Sequence, residues 1–288
     1  MKHRLLVALL LAPGPLLAQG LRLEAGAGVT TGTYLFEQRT TTWSVSAGLG
    51  VELGSVTLRG SLPLYVQNGT LVAGSAVGHL PTGGSSSGTV ADSGEAHHRG
   101  SGDGMASISS VPDLSHGMVQ VPASATEGSE LAVGDPVLGL AWRARGSGGT
   151  RFTLGAAVKL PVADTATFGT GEWDVGANAG VTHRAGDRWL LGFDLAYWRL
   201  GDMADLELRD PVYGTASLGY LSPGGWGGIL LASGGTAVLE GFDPPFTIGA
   251  GLSRVSGAQS WSLLAGIGLT ETAPDLTLGA VWSVRLTP

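Results

Sequence analysis

From residue 21 onward the chain repeats one rhythm, an apolar residue followed by a small or polar one, in runs of about ten. In LRLEAGAGVT, Leu21, Leu23, Ala25, Ala27 and Val29 share one parity. WSVSAGLGVEL follows it with Trp43, Val45, Ala47, Leu49, Val51 and Leu53, and VTLRGSLPLYV with Val56, Leu58, Leu62, Leu64 and Val66. Successive side chains of a strand point to opposite sides of the pleat, so period two marks strands whose two faces meet different surroundings. The 49 glycines agree with this. A glycine inside a helix costs roughly 1 kcal/mol relative to alanine, whereas curved strands and crowded faces accommodate it. The expected class is all-β, with about twelve strands.

The links between these segments alternate in length. Gly54, Arg145 to Thr150, Ala185 to Asp187, Ser222 to Gly225 and Ser256 to Ala258 are tight and rich in Gly and Ser. Between them lie Thr31 to Thr42, Val162 to Gly171, Leu200 to Asp210 and Ser233 to Asp243, together with a low-complexity excursion over 69–131; ETAPD, before the last segment, is the short one among them. Short turns at one rim and long loops at the other describe an up-and-down antiparallel barrel. Pro63 inside the third segment removes a ladder donor and calls for a bulge or a strand end there.

Alternation alone does not say which face is dry, since a soluble barrel would turn the same apolar face inward. Size decides it here. Eight strands enclose a space that side chains can fill, but about twelve enclose a wider one that Leu and Val fill badly. The apolar face is therefore expected to meet lipid. Aromatic placement agrees: Trp43, Trp173, Tyr197 and Phe246 fall near the loop ends of their strands. Trp142, Phe152, Trp189, Tyr220, Trp226 and Trp261 fall near the turn ends, as two interfacial girdles require. The expected fold is a transmembrane barrel with short periplasmic turns and longer extracellular loops.

The first twenty residues, MKHRLLVALLLAPGPLLAQG, place a basic head before a short apolar run, and Ala18 offers a cleavage point. We read 1–18 as a signal peptide and 19–288 as the barrel. Absence of Cys excludes disulfides, thiolate metal sites and lipid attachment through Cys. A net charge of −7 argues against a nucleic-acid partner.

Few residues suggest chemistry. His97 and His98, near Asp92, Glu95 and Asp103, lack a fixed ligand spacing and read as solvated loop, so no metal is expected. Neither His116 nor His183 begins a His-x-Ser pair, and no G-x-S-x-G elbow occurs. No catalytic residue and no cofactor are assigned, and lipid hydrolysis is the least favoured reading. On the inward parity, Glu52, Arg59, Lys159, Glu172, Asp174, Asn178 and Asp194 are candidates to line the lumen. Lys159 is expected across from Asp174 with Glu172 close by, Asp194 beside Asn178, and Arg59 near Glu52. Such groups either brace the wall or tune what passes. Glu24 and Arg285 are expected to meet across the seam between first and last strands.

VGDPVLGLAWRARG and the run from LGAAVKLPVAD to YWRLGD carry a family likeness. Gly134 and Asp135 open a strand after a long loop, Lys159 and Pro161 end the next, and Gly169 to Gly171 precede Asp174. Gly186 to Arg188 form a GDR turn, and SLPLYV supplies a Pro-bearing third strand. In these features the chain resembles the outer-membrane family labelled meta-pathway of phenol degradation, or putative transporter. The resemblance implies a β-barrel channel passing small compounds, hydrophobic or aromatic ones among them. The chain departs from the usual outer-membrane ending, with Thr287 and Pro288 where a terminal aromatic is expected. The expected protein is a bacterial outer-membrane channel acting by passive diffusion. Its expected partners are membrane lipid, the barrel-assembly machinery and a small solute. A structural or adhesive barrel with a closed lumen is the alternative.

Overall fold

The computed structural model describes residues 20–33, 39–68, 72–75, 78–81, 132–163, 170–201, 208–238 and 240–286. The leader, the two loop histidines and the Thr-Pro ending lie outside them. Strands β1 (Leu21–Gly32), β2 (Thr40–Leu53) and β3 (Val56–Asn68) open the barrel. The hairpin β4 (Val72–Ser75) and β5 (Gly78–Pro81) and the two-residue β6 (Ala132–Val133) follow, within or just beyond the stretch expected to be loop. Then come β7 (Val137–Arg145), β8 (Thr150–Lys159), β9 (Asp174–Ala185) and β10 (Trp189–Arg199). The chain continues with β11 (Val212–Leu221), β12 (Trp226–Gly235), β13 (Phe246–Ser256), β14 (Gln259–Gly268) and β15 (Leu276–Arg285).

Each long strand pairs antiparallel with its sequence neighbour, β3 pairs with β7, and β1 pairs with β15. The seam runs in register from Arg22 opposite Arg285 to Thr31 opposite Leu276. At its end Leu286 N donates to Leu21 O at 2.7 Å. Twelve strands therefore close into a ring with no free edge. Short links, such as Gly54–Ser55, all fall at one rim, which we call the turn side; the other is the loop side. Gly54 has φ of +64°, a conformation that suits Gly and lets β2 reverse into β3 within two residues.

Pro63 shows how the wall absorbs a missing donor. Its flank toward β7 is a gap: Ser61 pairs with Val137, Leu64 pairs with Val133 of β6, and residues 134–136 bridge between. Gly134 N donates to Pro63 O at 3.0 Å on that side. The proline thus sits where the partner strand is interrupted.

The outer surface is apolar. Trp43, Val45, Leu154, Leu195, Leu230, Leu263 and Ile267 are exposed, and Leu230 keeps 59% of its surface uncovered. Buried positions are the reverse: Thr, Ser, Asp, Glu and Lys dominate them. A water-soluble domain buries the first set and exposes the second. This inverted distribution fits a lipid-embedded wall. Trp43, Trp173, Tyr197 and Phe246 ring the loop side, and Trp142, Phe152, Trp189, Trp226 and Trp261 ring the turn side, all exposed. Trp189 and Tyr220 meet edge-on at 5.1 Å, and the Arg254 guanidinium lies 4.9 Å above the Trp226 ring. A groove of about 460 Å³ also lies outside, over small Ala27 and Ala280 and beside Trp43 and Leu263. It belongs to the lipid face.

Candidate functional site

The inward face of the barrel has three zones, each set by strand parity. On the turn side, β1, β2, β3, β7, β8 and β15 are adjacent in the ring and carry Arg22, Glu24, Glu52, Arg59, Arg143, Arg145, Arg151 and Arg285 on the inward parity. Arg59 stands opposite Gly50, Gly50 opposite Arg22, and Arg22 opposite Arg285, so three arginines share one row across four strands. Gly50 lies between the flanking arginine stems, in ordinary contact range of both. A Cβ there would come within 3.6 Å of Arg22 Cβ and 3.8 Å of Arg59 Cγ.

The two glutamates tie this row together. Arg22 Nη2 lies 3.2 Å from Glu52 and its Nη1 3.7 Å from Glu24, while Arg285 lies 3.8 Å from Glu52. Arg143 Nη1 donates to Thr57 Oγ1 at 3.3 Å, and Arg59 feels the charges of both glutamates. The seam residues Glu24 and Arg285 thus sit on paired strands, with Arg285 turned toward Glu52 and Glu24 toward Arg22. Arg184, also at this rim, instead donates to Asp187 O at 2.6 Å and folds onto the turn.

Across the ring the wall is neutral. Leu190 and Leu221 lie near the turn-side ends of β10 and β11, and Ile229, Leu231 and Leu264 continue it on β12 and β14. β12 is six strands from β3 in the ring, hence directly opposite it. Ile229, Leu231 and Leu264 remain half-buried, not packed away. Their inward neighbours are small: Ile229 pairs with Gly219 and Gly251, and Leu231 with Ser217 and Gly249.

The loop-side end is closely packed over β7 to β11. Lys159, 2% exposed, lies 3.2 Å from Asp174 and 3.5 Å from Asp135, and also donates to Thr170 Oγ1. Asp135 Oδ1 accepts from Val162 N at 2.9 Å and Ala163 N at 2.8 Å, and Asp174 Oδ1 from Gly201 N at 3.2 Å. One ammonium and two carboxylates therefore pin the links leaving β8 and β10 to the wall. Glu172 is exposed and joins no ion pair with Lys159 among the described residues. Beside this cluster Trp198, Tyr213, Ala157, Ala196, Leu200 and Val238 form a small apolar core inside the barrel. The Trp198 ring lies over Gly176, where a Cβ would come within 2.5 Å of it.

Asp194 is buried midway along β10, opposite Gly180 on β9, while Asn178 stands opposite Ala196. The two polar groups are thus diagonal neighbours, and Asp194 Oδ1 and Asn178 Nδ2 have no protein partner. Glu52, Arg59, Lys159, Asp174, Asn178 and Asp194 lie on the inward parity of their strands, whereas Glu172 precedes β9 and is exposed; the count passed over Arg22, Arg143, Arg151, Trp198 and Tyr213. All five share the inward parity and could have been found by extending the count to the strand ends. No group of three or more His, Cys, Asp or Glu suited to a metal occurs among the described residues.

No protein-family model matches the chain, and no curated protein matches it. Solved structures do. The chain is similar to the COG4313 outer membrane channel from Pseudomonas putida F1, at 12% identity over 93% of this chain and 96% of that one, with a TM-score of 0.60. The CymD monoaromatic hydrocarbon channel aligns at 15% identity over 93% of this chain and 87% of that one, with a TM-score of 0.40. Salmonella typhi OmpF, in complex with daunomycin, aligns at 10% identity over 92% and 97%, with a TM-score of 0.39. The first of these likenesses, together with the closed ring of twelve strands, establishes the fold as that of an outer-membrane-type β-barrel.

Proposed function

We propose that this chain is a bacterial outer-membrane channel for passive passage of small solutes. One observation carries the reading: a closed ring of twelve strands turns most of its large apolar side chains outward and keeps its buried Ser, Thr and charged residues inside. A wall of that polarity surrounds water and sits in lipid. Its likeness to a phenol-degradation transporter family, noted from the strand motifs, favours small organic solutes over sugars or peptides. Export with cleavage near Ala18, insertion by the barrel-assembly machinery and residence in the outer membrane belong to the same proposal. No reaction is assigned to the chain.

The test is conductance of the purified chain in planar bilayers, alongside swelling of liposomes that contain it. Discrete current steps and swelling with small solutes are expected. The runner-up, a structural or adhesive barrel with a closed lumen, draws on the Trp198–Leu200–Tyr213–Val238 core at the loop side. Absence of current and swelling, both in the full chain and after deletion of 82–131, would establish the runner-up and defeat the channel.

A further inference from the structure

We infer that the lumen selects organic anions with an apolar body, small carboxylates above all. This inference rests on the channel reading and names its solute class. Two independent features of the turn-side lumen converge on it. The first is charge. Six arginines, Arg22, Arg59, Arg143, Arg145, Arg151 and Arg285, share the inward parity with two glutamates, Glu24 and Glu52, on six adjacent strands, an excess of four positive charges. Such an excess is opposite in sign to the chain's net charge of −7. Arg285 and Arg151 are exposed and Arg22, Arg59 and Arg143 half-buried, so the row borders the aqueous space. Guanidinium groups hold carboxylates through paired N–H donors.

The second feature is the facing wall. Ile229 and Leu231 on β12 lie across the ring from Arg59, with Leu264 beyond them. Asp194, the inward-parity acidic residue among the described residues of β10 to β14, is buried instead of facing this space. A passage with guanidinium groups on one side and aliphatic groups on the other matches a solute that is itself two-sided. Inorganic anions satisfy only the first wall, and neutral hydrocarbons only the second.

Three solutes of one size and different charge test this: benzoate, benzyl alcohol and benzylamine, with the full chain in liposomes. Benzoate is expected to enter about tenfold faster than benzylamine at low ionic strength, because a one-signed narrow passage concentrates its counter-ion by that order. The preference should shrink as salt screens the arginines. In bilayers under a potassium chloride gradient, the reversal potential should report chloride over potassium. The double variant R59Q/R143Q should bring it toward zero. I229S/L231S should leave the sign of the potential alone and raise the benzoate concentration that half-blocks chloride current by about tenfold. Equal entry of the three solutes, or faster entry of benzylamine, overturns the inference while the channel stands. Entry of none, with no current, overturns both. The wild-type comparison needs no variant to fold.

Discussion

Lys159 shows most clearly what a single side chain does here. It is buried between Asp135 and Asp174, whose other oxygens accept backbone N–H donors from the links after β8 and β10. Removing the ammonium leaves two buried carboxylates facing one another, whereas removing one carboxylate leaves a neutral pair. K159M is therefore expected to lose about 3–5 kcal/mol of stability. D174N should lose clearly less, and denaturant titration in detergent would rank the two. A D174N variant as unstable as K159M would show that charge balance is not what holds the site. Gly176 offers a steric counterpart. G176A pushes a methyl group against the Trp198 ring and should cost about 1–3 kcal/mol. The same denaturant titration would measure it, and an unchanged midpoint would mean the ring moves aside freely.

At the scale of the strand, parity governs consequence. On β10, Leu195 faces outward and is exposed near the middle of the strand, whereas Ser253 on β13 faces inward. L195R places a cation in hydrocarbon and is expected to cost about 2–4 kcal/mol. S253R places the same group in the lumen, where it can keep its water, and should cost far less. Folding yield into vesicles, scored by heat-modifiable migration, would compare them; equal losses would contradict the orientation of both strands. Much of this was legible beforehand. Trp43, Val45, Leu49 and Leu58 announced the outward face by spacing alone, and all are exposed. Trp198 was not legible in the same way. Its parity marks it as inward, but its burial depends on packing with Leu200, just past the end of its own strand, and with Val238 in the link after β12. The interruption opposite Pro63 is similar. The residue demanded one, and only the pairing of β3 first with β7 and then with β6 supplied it.

At the scale of the whole molecule, the barrel exchanges the usual interior and exterior. A chain with Leu230 and Leu263 on its surface has no core large enough to hide them elsewhere. The chain should thus remain dispersed only in detergent or lipid and precipitate when detergent is withdrawn, as sedimentation would show. Recovery of a folded, freely soluble form would overturn the membrane reading altogether. The excess of arginine over glutamate is also a property of the closed ring, since its members come from strands far apart in sequence. Arg22 and Arg285 are separated by nearly the whole chain and become neighbours only because β1 meets β15.

Local sequence was sufficient to determine the strands, their two-faced character, the alternation of turns and loops, and the polarity of each face. Those features arise from pleat geometry, glycine and proline conformation, and side-chain hydrophobicity, all acting over a few residues. Closure decided the rest. It set which strand meets which, drew Arg285 toward Glu52, buried Lys159 between two aspartates, and placed the arginine row opposite Ile229 and Leu231. These contacts join distant segments, so they exist only once the register and the order of strands around the ring are set.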